Sequence, residues 1–140
     1  MSQHSVVLLL GSNLGNAKLN IDQALFFLQE EIGEIKQKSE HLSSSAVEFE
    51  SCNIFCNIAL RIFTDLSPFK LLQKLKQYEK KMGRQIDSAD LGKYSDRIID
   101  IDIVLFDNLT FKSKKLTIPH DKNLNERDFS KKLIAQLVDN

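Results

Sequence analysis

SDRIIDIDIVLFDN, residues 95–108, has at its centre an isoleucine- and valine-rich run with the composition of a buried strand, yet two aspartates, Asp100 and Asp102, sit inside that run. Side chains alternate along a strand, so Ile99, Ile101, Ile103 and Leu105 belong to one face, while Asp100, Asp102, Val104 and Phe106 belong to the other. The apolar set asks for a layer of helices; the carboxylates ask for something else. Residues two apart on a strand lie ~6.6 Å apart, so like charges there repel unless a cation sits against them. Hard oxygen donors with no His or Cys at ligand spacing favour magnesium over zinc. The bland alternative, a solvated face on which Arg97 or Arg61 partners the aspartates, stays open at this point.

Outward from that strand the chain alternates cleanly between periods. The preceding RQIDSADLGKYSDR, residues 84–97, is polar and bracketed by Arg84 and Arg97, the composition of a functional loop; two guanidiniums there suit a phosphate chain. Before it, SPFKLLQKLKQYEKKMG predicts a helix with Ser67 as N-cap, Pro68 in the first turn, Leu71, Leu72 and Leu75 on the core stripe and Gly83 as the stop. IFCNIALRIFT, residues 54–64, predicts a strand with Phe55, Asn57, Ala59 and Arg61 on one side and Cys56, Ile58, Leu60 and Ile62 on the other. IGEIKQKSEHLSSSAVEF alternates weakly and suits a half-solvated strand followed by a loop near Val47–Asn53. At the start, SVVLLLG reads as a buried strand; Asn16 then caps a helix carrying Ile21, Leu25, Leu28 and Ile32, which Gly33 ends.

The order β-α-β-β-α-β, with a short helix from about Phe129, predicts a ferredoxin-like α+β fold: an antiparallel sheet with helices on one face plus a short C-terminal extension. Residues 1–140 are expected to form a single domain whose second sheet face is left over for a ligand.

Composition narrows the partners. The chain has 140 residues, 42% of them hydrophobic, and its 19 basic and 19 acidic residues cancel. No general nucleic-acid or membrane surface is expected, and an exposed sheet face bearing Asp100 and Asp102 is a poor match for a phosphate backbone. No stretch approaches the ~20 apolar residues of a membrane span, so a cytoplasmic monomer is the expectation. Cys52 and Cys56 have no second pair, and reduced, packed thiols are expected rather than a zinc site.

KSKKLTIPH, residues 112–120, adds Lys112, Lys114, Lys115 and His120 downstream of the aspartates. With these on the page, RIIDIDIVLFDN closely resembles the signature strand of the 6-hydroxymethyl-7,8-dihydropterin pyrophosphokinase family. LLLGSNLGN, the FCN of residues 55–57, YEKKMGR and KLTIPH resemble the same family in the same order over nearly the whole chain. The resemblance implies a magnesium-dependent transfer of pyrophosphate from ATP to the pterin hydroxymethyl group. It implies that Asp100 and Asp102 hold two Mg2+ ions and that Arg84 and Arg97 close on the phosphates. Glu79, Arg97, Ile103, Lys115, Thr117 and His120 would surround the ATP, and Phe55, Asn57 and Phe129 the pterin. The chain departs from the family pattern in AVEFESCN ahead of the Phe-x-Asn strand, in Gln85 and Ile86 after Arg84, and in lacking Trp. Two other readings stand beside the enzyme: a catalytically weak relative that binds ATP and magnesium, and a non-enzymatic ferredoxin-like interaction module.

Overall fold

The computed structural model describes residues 3–13, 16–45, 54–83, 98–114, 116–120 and 128–137, with the side chains of residues 43–45, 54, 55 and 128–130 outside that description. The elements are β1 (His4–Ser12), α1 (Ala17–Glu31), β2 (Gly33–Lys38), β3 (Leu42–Ser45), β4 (Ile54–Thr64), α2 (Pro68–Lys81), β5 (Asp100–Phe106), β6 (Phe111–Lys112), β7 (Thr117–Ile118) and α3 (Asp128–Ala135). Every pairing in the main sheet is antiparallel, in the order β2-β4-β1-β5, with β3 also on β4. Because β2 and β3 lie end to end along β4, they act as one interrupted edge strand, and the sheet is the ferredoxin-like one that the element order predicts.

Capping works as the residue types dictate. The Asn16 side chain accepts a hydrogen bond from the Leu19 N–H at 3.0 Å, and the Ser67 side chain accepts one from the Lys70 N–H at 3.3 Å. The break between β2 and β3 centres on buried Ser39. Its N–H donates to the Ala59 carbonyl at 2.9 Å, and its Oγ accepts from the Ala59 N–H at 2.9 Å. The serine thus replaces a ladder rung with its own side chain.

Between helices and sheet lies the larger core. Val6, Leu8 and Leu10 of β1, Ile58, Leu60 and Ile62 of β4, and Ile101 and Ile103 of β5 pack there against Ile21 and Leu28 of α1 and Leu71 and Leu75 of α2. All are buried, and each such side chain contributes ~1.5–3 kcal/mol of hydrophobic stabilisation.

The alternation read for residues 99–106 holds as far as Ile103 and then changes phase. Leu8 pairs with Ile103 but Val7 pairs with Leu105, so Val104 is an extra residue in β5. A bulge shifts every later side chain to the opposite face. Phe106, expected on the open face, is therefore in the main core, and Leu105, expected under the helices, packs with the second cluster.

That second cluster also corrects the expectation of a bare sheet face. Leu133, Ile134 and Leu137, from α3 and the turn after it, cover Val7, Leu9, Ala59 and Val104. Arg61 helps to hold them: its Nε donates to Gln37 Oε1 at 3.1 Å, its Nη1 to Ser5 Oγ at 2.9 Å and its Nη2 to the Leu137 carbonyl at 3.4 Å. Arg61 is thus bound into the C-terminal attachment, not placed beside the aspartates. The end of this face that carries Asn57 and Asp100 lies beyond the α3 cluster.

At the far end of β5, Asp107 sits in the left-handed region at φ 49° and ties the strand back to β1. One carboxylate oxygen accepts from the Ser5 N–H at 2.7 Å, and the other lies 2.7 Å from His4 Nδ1. Partial burial opposes ionisation, but the Ser5 hydrogen bond and then His4 outweigh it and hold the Asp107 carboxyl below its usual range. A depressed folded-state pKa means that the stability from Asp107 is fully present above the unfolded carboxyl value of ~3.9 and is lost as pH falls through the lower folded value. Urea unfolding at pH 7 and pH 3 should therefore show a smaller acid loss for Asp107→Asn than for wild type, since asparagine also tolerates the left-handed backbone. Equal losses would mean that Asp107 contributes nothing to the acid sensitivity.

Candidate active site

Register aligns the site residues in cross-strand rows. Gly11 pairs with Asn57 on one side and with Asp100 on the other, and Leu9 pairs likewise with Ala59 and Asp102. Directly opposed residues share a face, so Asn57, Gly11 and Asp100 form one row and Ala59, Leu9 and Asp102 the next. Glycine places no side chain between the Asn57 amide and the Asp100 carboxylate, which strand spacing sets ~10 Å apart at the backbone. In the second row α3 covers Leu9 and Ala59 and leaves Asp102 outside its cluster; the first row carries Asn57 and Asp100. Asn57 is buried despite its amide, and Asp100 is half-buried.

Asp102 opens onto a cleft of about 390 Å3 that also takes in Ile103, Thr117 and His120. Lys112 and Lys114 come to it from the β6–β7 hairpin and Lys76 from α2; Leu72, Ile101 and Leu116 complete its apolar lining. Local chemistry builds the hairpin: Ser113 N–H donates to the Leu116 carbonyl at 2.9 Å, and Ser113 Oγ accepts from the Leu116 N–H at 3.1 Å. The chain then runs beside β5, where the His120 N–H takes the Val104 carbonyl at 3.0 Å. That backbone bond aims the imidazole, whose Nε2 lies 3.7 Å from Asp102 Oδ2.

Glu79 is buried near the end of α2. One of its carboxylate oxygens accepts the Ile101 N–H at 2.7 Å, and the other lies 3.6 Å from Lys76 Nζ. The structure thus brings together Asp100, Asp102, Ile103, Thr117 and His120, with Asn57 two strands away in the same row as Asp100 and Glu79 touching two residues of the cleft lining. Arg84, Arg97 and Lys115, and the side chains of Phe55 and Phe129, lie outside the described residues. Lys76 was not picked out from the sequence. Its signal was available, since residues 72, 76 and 79 fall on one helical face beside the Leu71/Leu75 stripe, but a lysine there reads as an ordinary surface charge.

Two carboxylates on one strand face fit a hard divalent cation. Among the described residues no three His, Cys, Asp or Glu converge as a metal cluster. Magnesium needs no third protein ligand when water and ligand phosphates fill its other positions. The described cysteine does not compete: Cys56 is free and buried, and burial pushes its thiol pKa up, away from the thiolate that binds metals. Cys52 lies outside the described residues. No described helix is long and apolar enough to cross a membrane.

Fold and site together define a ferredoxin-like α+β domain that sets a carboxylate pair beside a lysine-rimmed cleft suited to a polyanion. The family model for 7,8-dihydro-6-hydroxymethylpterin-pyrophosphokinase (HPPK) matches residues 7–139, and the chain belongs to this family. It is 38% identical over 125 residues to the 2-amino-4-hydroxy-6-hydroxymethyldihydropteridine pyrophosphokinase of Aquifex aeolicus, covering 89% of this chain and 74% of that one. The enzyme of that name from Porphyromonas gingivalis is 34% identical, with 89% of this chain and 84% of that one covered. The mitochondrial folate synthesis bifunctional protein of Arabidopsis thaliana is 36% identical over 99% of this chain, but the chain spans only 24% of its length. Among solved structures, the wild-type Plasmodium falciparum HPPK-DHPS with pterin and p-hydroxybenzoate superposes with a TM-score of 0.66 at 17% identity, covering 88% of this chain and 36% of that one. At that identity the likeness bears on the fold.

Proposed function

We propose that residues 1–140 act as one pyrophosphokinase domain that transfers the β,γ-pyrophosphoryl unit of ATP to the hydroxymethyl oxygen of 6-hydroxymethyl-7,8-dihydropterin, releasing AMP. The observation that carries this reading is the row of Asn57, Gly11 and Asp100 with Asp102 in the next row, at the mouth of the lysine-rimmed cleft. It sets an amide that can read the edge of a flat heterocycle close to carboxylates that can hold a metal–phosphate complex.

Asp100 and Asp102 would hold the magnesium, two ions on the family pattern, and bound magnesium would neutralise charge developing on the transferred phosphates. Every other task falls to side chains. Asn57 hydrogen-bonds the pterin edge, and Phe55 and Phe129 stack on the ring. Arg84, Arg97 and Lys115 bind the phosphate chain through charge-assisted hydrogen bonds, with Lys112 and Lys114 adding positive potential at the rim. Ile103 and Thr117 line the nucleotide, and His120, held beside Asp102, donates to a phosphate oxygen. Catalysis on this reading is positioning plus charge stabilisation. A cytoplasmic monomer is the form proposed; among the described residues no helix is long and apolar enough to cross a membrane.

The test is AMP formation from ATP and Mg2+ with and without 6-hydroxymethyl-7,8-dihydropterin. Pterin-dependent AMP is expected. AMP that forms equally without pterin, or none from folded protein, would overturn the reading.

A further inference from the structure

Glu79 is an anomaly on α2. It lies four residues after Leu75 and eight after Leu71, on the stripe that faces the core, and it is 1% exposed. Burying a carboxylate costs several kcal/mol before its partners offset it, and a well-packed apolar side chain at such a place is often at least as stable. Packing alone therefore gives no reason for a glutamate.

Its partner supplies one. β5 is the edge strand of the main sheet, and the N–H of Ile101 turns to Glu79 across that edge. Ile101 is the residue between Asp100 and Asp102, so the bond fixes the one peptide segment whose position sets where both carboxylates project. At 2.7 Å it has the length of a charge-assisted hydrogen bond. Among the described backbone pairings the first residues of β5 are otherwise joined to β1 on one side, and strand ends with one-sided pairing open most readily. Lys76, 3.6 Å from the other Glu79 oxygen, lines the cleft and keeps the buried charge paired.

We propose that Glu79 is a positioning residue: its buried carboxylate clamps the Ile101 amide and thereby holds Asp100 and Asp102 in register for a divalent cation, without itself touching the nucleotide. This rests on the reading of the two aspartates as the metal-holding pair.

The test compares wild type, Glu79→Met, which fills the space but removes the acceptor, and Glu79→Gln, which keeps a carbonyl for Ile101. The readouts are exchange of the Ile101 amide in the apoprotein, Mn2+ affinity with ATP absent, and steady-state kinetics. Glu79→Met should speed exchange of that amide and weaken Mn2+ binding ~10–100-fold, the usual scale for removing a group that orients metal ligands. It should lower kcat on the same scale while KM for ATP stays within ~3-fold. Glu79→Gln should keep the amide protected and recover most of the Mn2+ affinity. Unchanged Mn2+ affinity in Glu79→Met, or a raised KM for ATP at unchanged kcat, would overturn the proposal, the latter marking a plain nucleotide contact. Should Glu79→Met not fold, Glu79→Gln decides. A protected Ile101 amide with near-wild-type Mn2+ affinity supports the clamp; a protected amide with Mn2+ affinity down tenfold or more overturns it, because charge and not position would then matter. Wild type that binds Mn2+ but makes no AMP would overturn the pyrophosphokinase reading alone; wild type that makes pterin-dependent AMP but binds no Mn2+ in the absence of ATP would overturn the positioning proposal alone.

Discussion

Asp102→Asn is expected to lower pterin-dependent AMP formation on the order of 10³-fold, the scale seen when a group that stabilises developing charge is removed. The substitution keeps shape and removes charge. Asp102 is only partly buried, and its His120 partner is 3.7 Å away with both side chains reached by solvent; such a pair contributes ~1 kcal/mol at most. Asparagine also relieves the repulsion from Asp100 on the same strand face. The apoprotein should therefore melt within a few degrees of wild type, and Asp100→Asn should fall in the same direction on both counts. Activity assays and thermal melts without metal separate the outcomes. A melting temperature that drops by ten degrees or more would make the aspartate part of the scaffold, and AMP formation at the wild-type rate would remove the carboxylates from the mechanism.

Gly33→Ala should be among the most destabilising single-methyl additions this chain can take, about 3 kcal/mol, at the upper end of what overpacking commonly costs. A Cβ built on Gly33 would sit 2.0 Å from the Phe63 carbonyl oxygen and 3.1 Å from the Thr64 Cα. Both are backbone atoms of β4, so no side chain can swing away to make room. Gly33 pairs with Thr64 at the first rung of β2, and the buried Thr64 hydroxyl donates to the Ile32 carbonyl at 2.7 Å. Relieving the clash would move that rung and strain this hydrogen bond. A loss of about 10 °C in melting temperature is expected for a chain of this size; a change under 2 °C would show that β4 yields there at little cost. Wild-type activity per folded molecule should survive, since Gly33 lies at the opposite end of β4 from Asn57.

The two glycines read as helix stops show how far local rules reach. Gly83, at the end of α2, does sit at φ 127°, where a side chain would be strained. Gly33 ends α1 for another reason: it has no left-handed backbone, and Ile32 before it ends the helix with ordinary φ and ψ. Its glycine is required by a strand packed against it, a contact with residues thirty positions away that no window around position 33 contains.

Much else was legible because its causes are short-range. Side groups within a few residues make the caps at Asn16 and Ser67, and a period of two along residues 99–103 puts Asp100 and Asp102 on the same face whatever they pair with. That alternation, together with the element order, determined the fold class and singled out the acidic pair from the sequence alone. Tertiary structure decided the rest. The bulge at Val104 exists only relative to Val7 and Leu8 of the neighbouring strand, and it sends Phe106 into the main core against the alternation. The coverage of the second sheet face joins Leu133, Ile134 and Leu137 to Val7, Leu9 and Ala59, with Arg61 reaching Ser5, Gln37 and the Leu137 carbonyl to help hold it. The alignment of Asn57, Gly11 and Asp100 is a matter of register across three strands, and the burial of Glu79 against the Ile101 amide joins a helix to a strand edge. Periodicity is a property of one segment and can be read from it. Register, edge coverage and close approach are properties of pairs of segments, and they come into being only when the chain has packed.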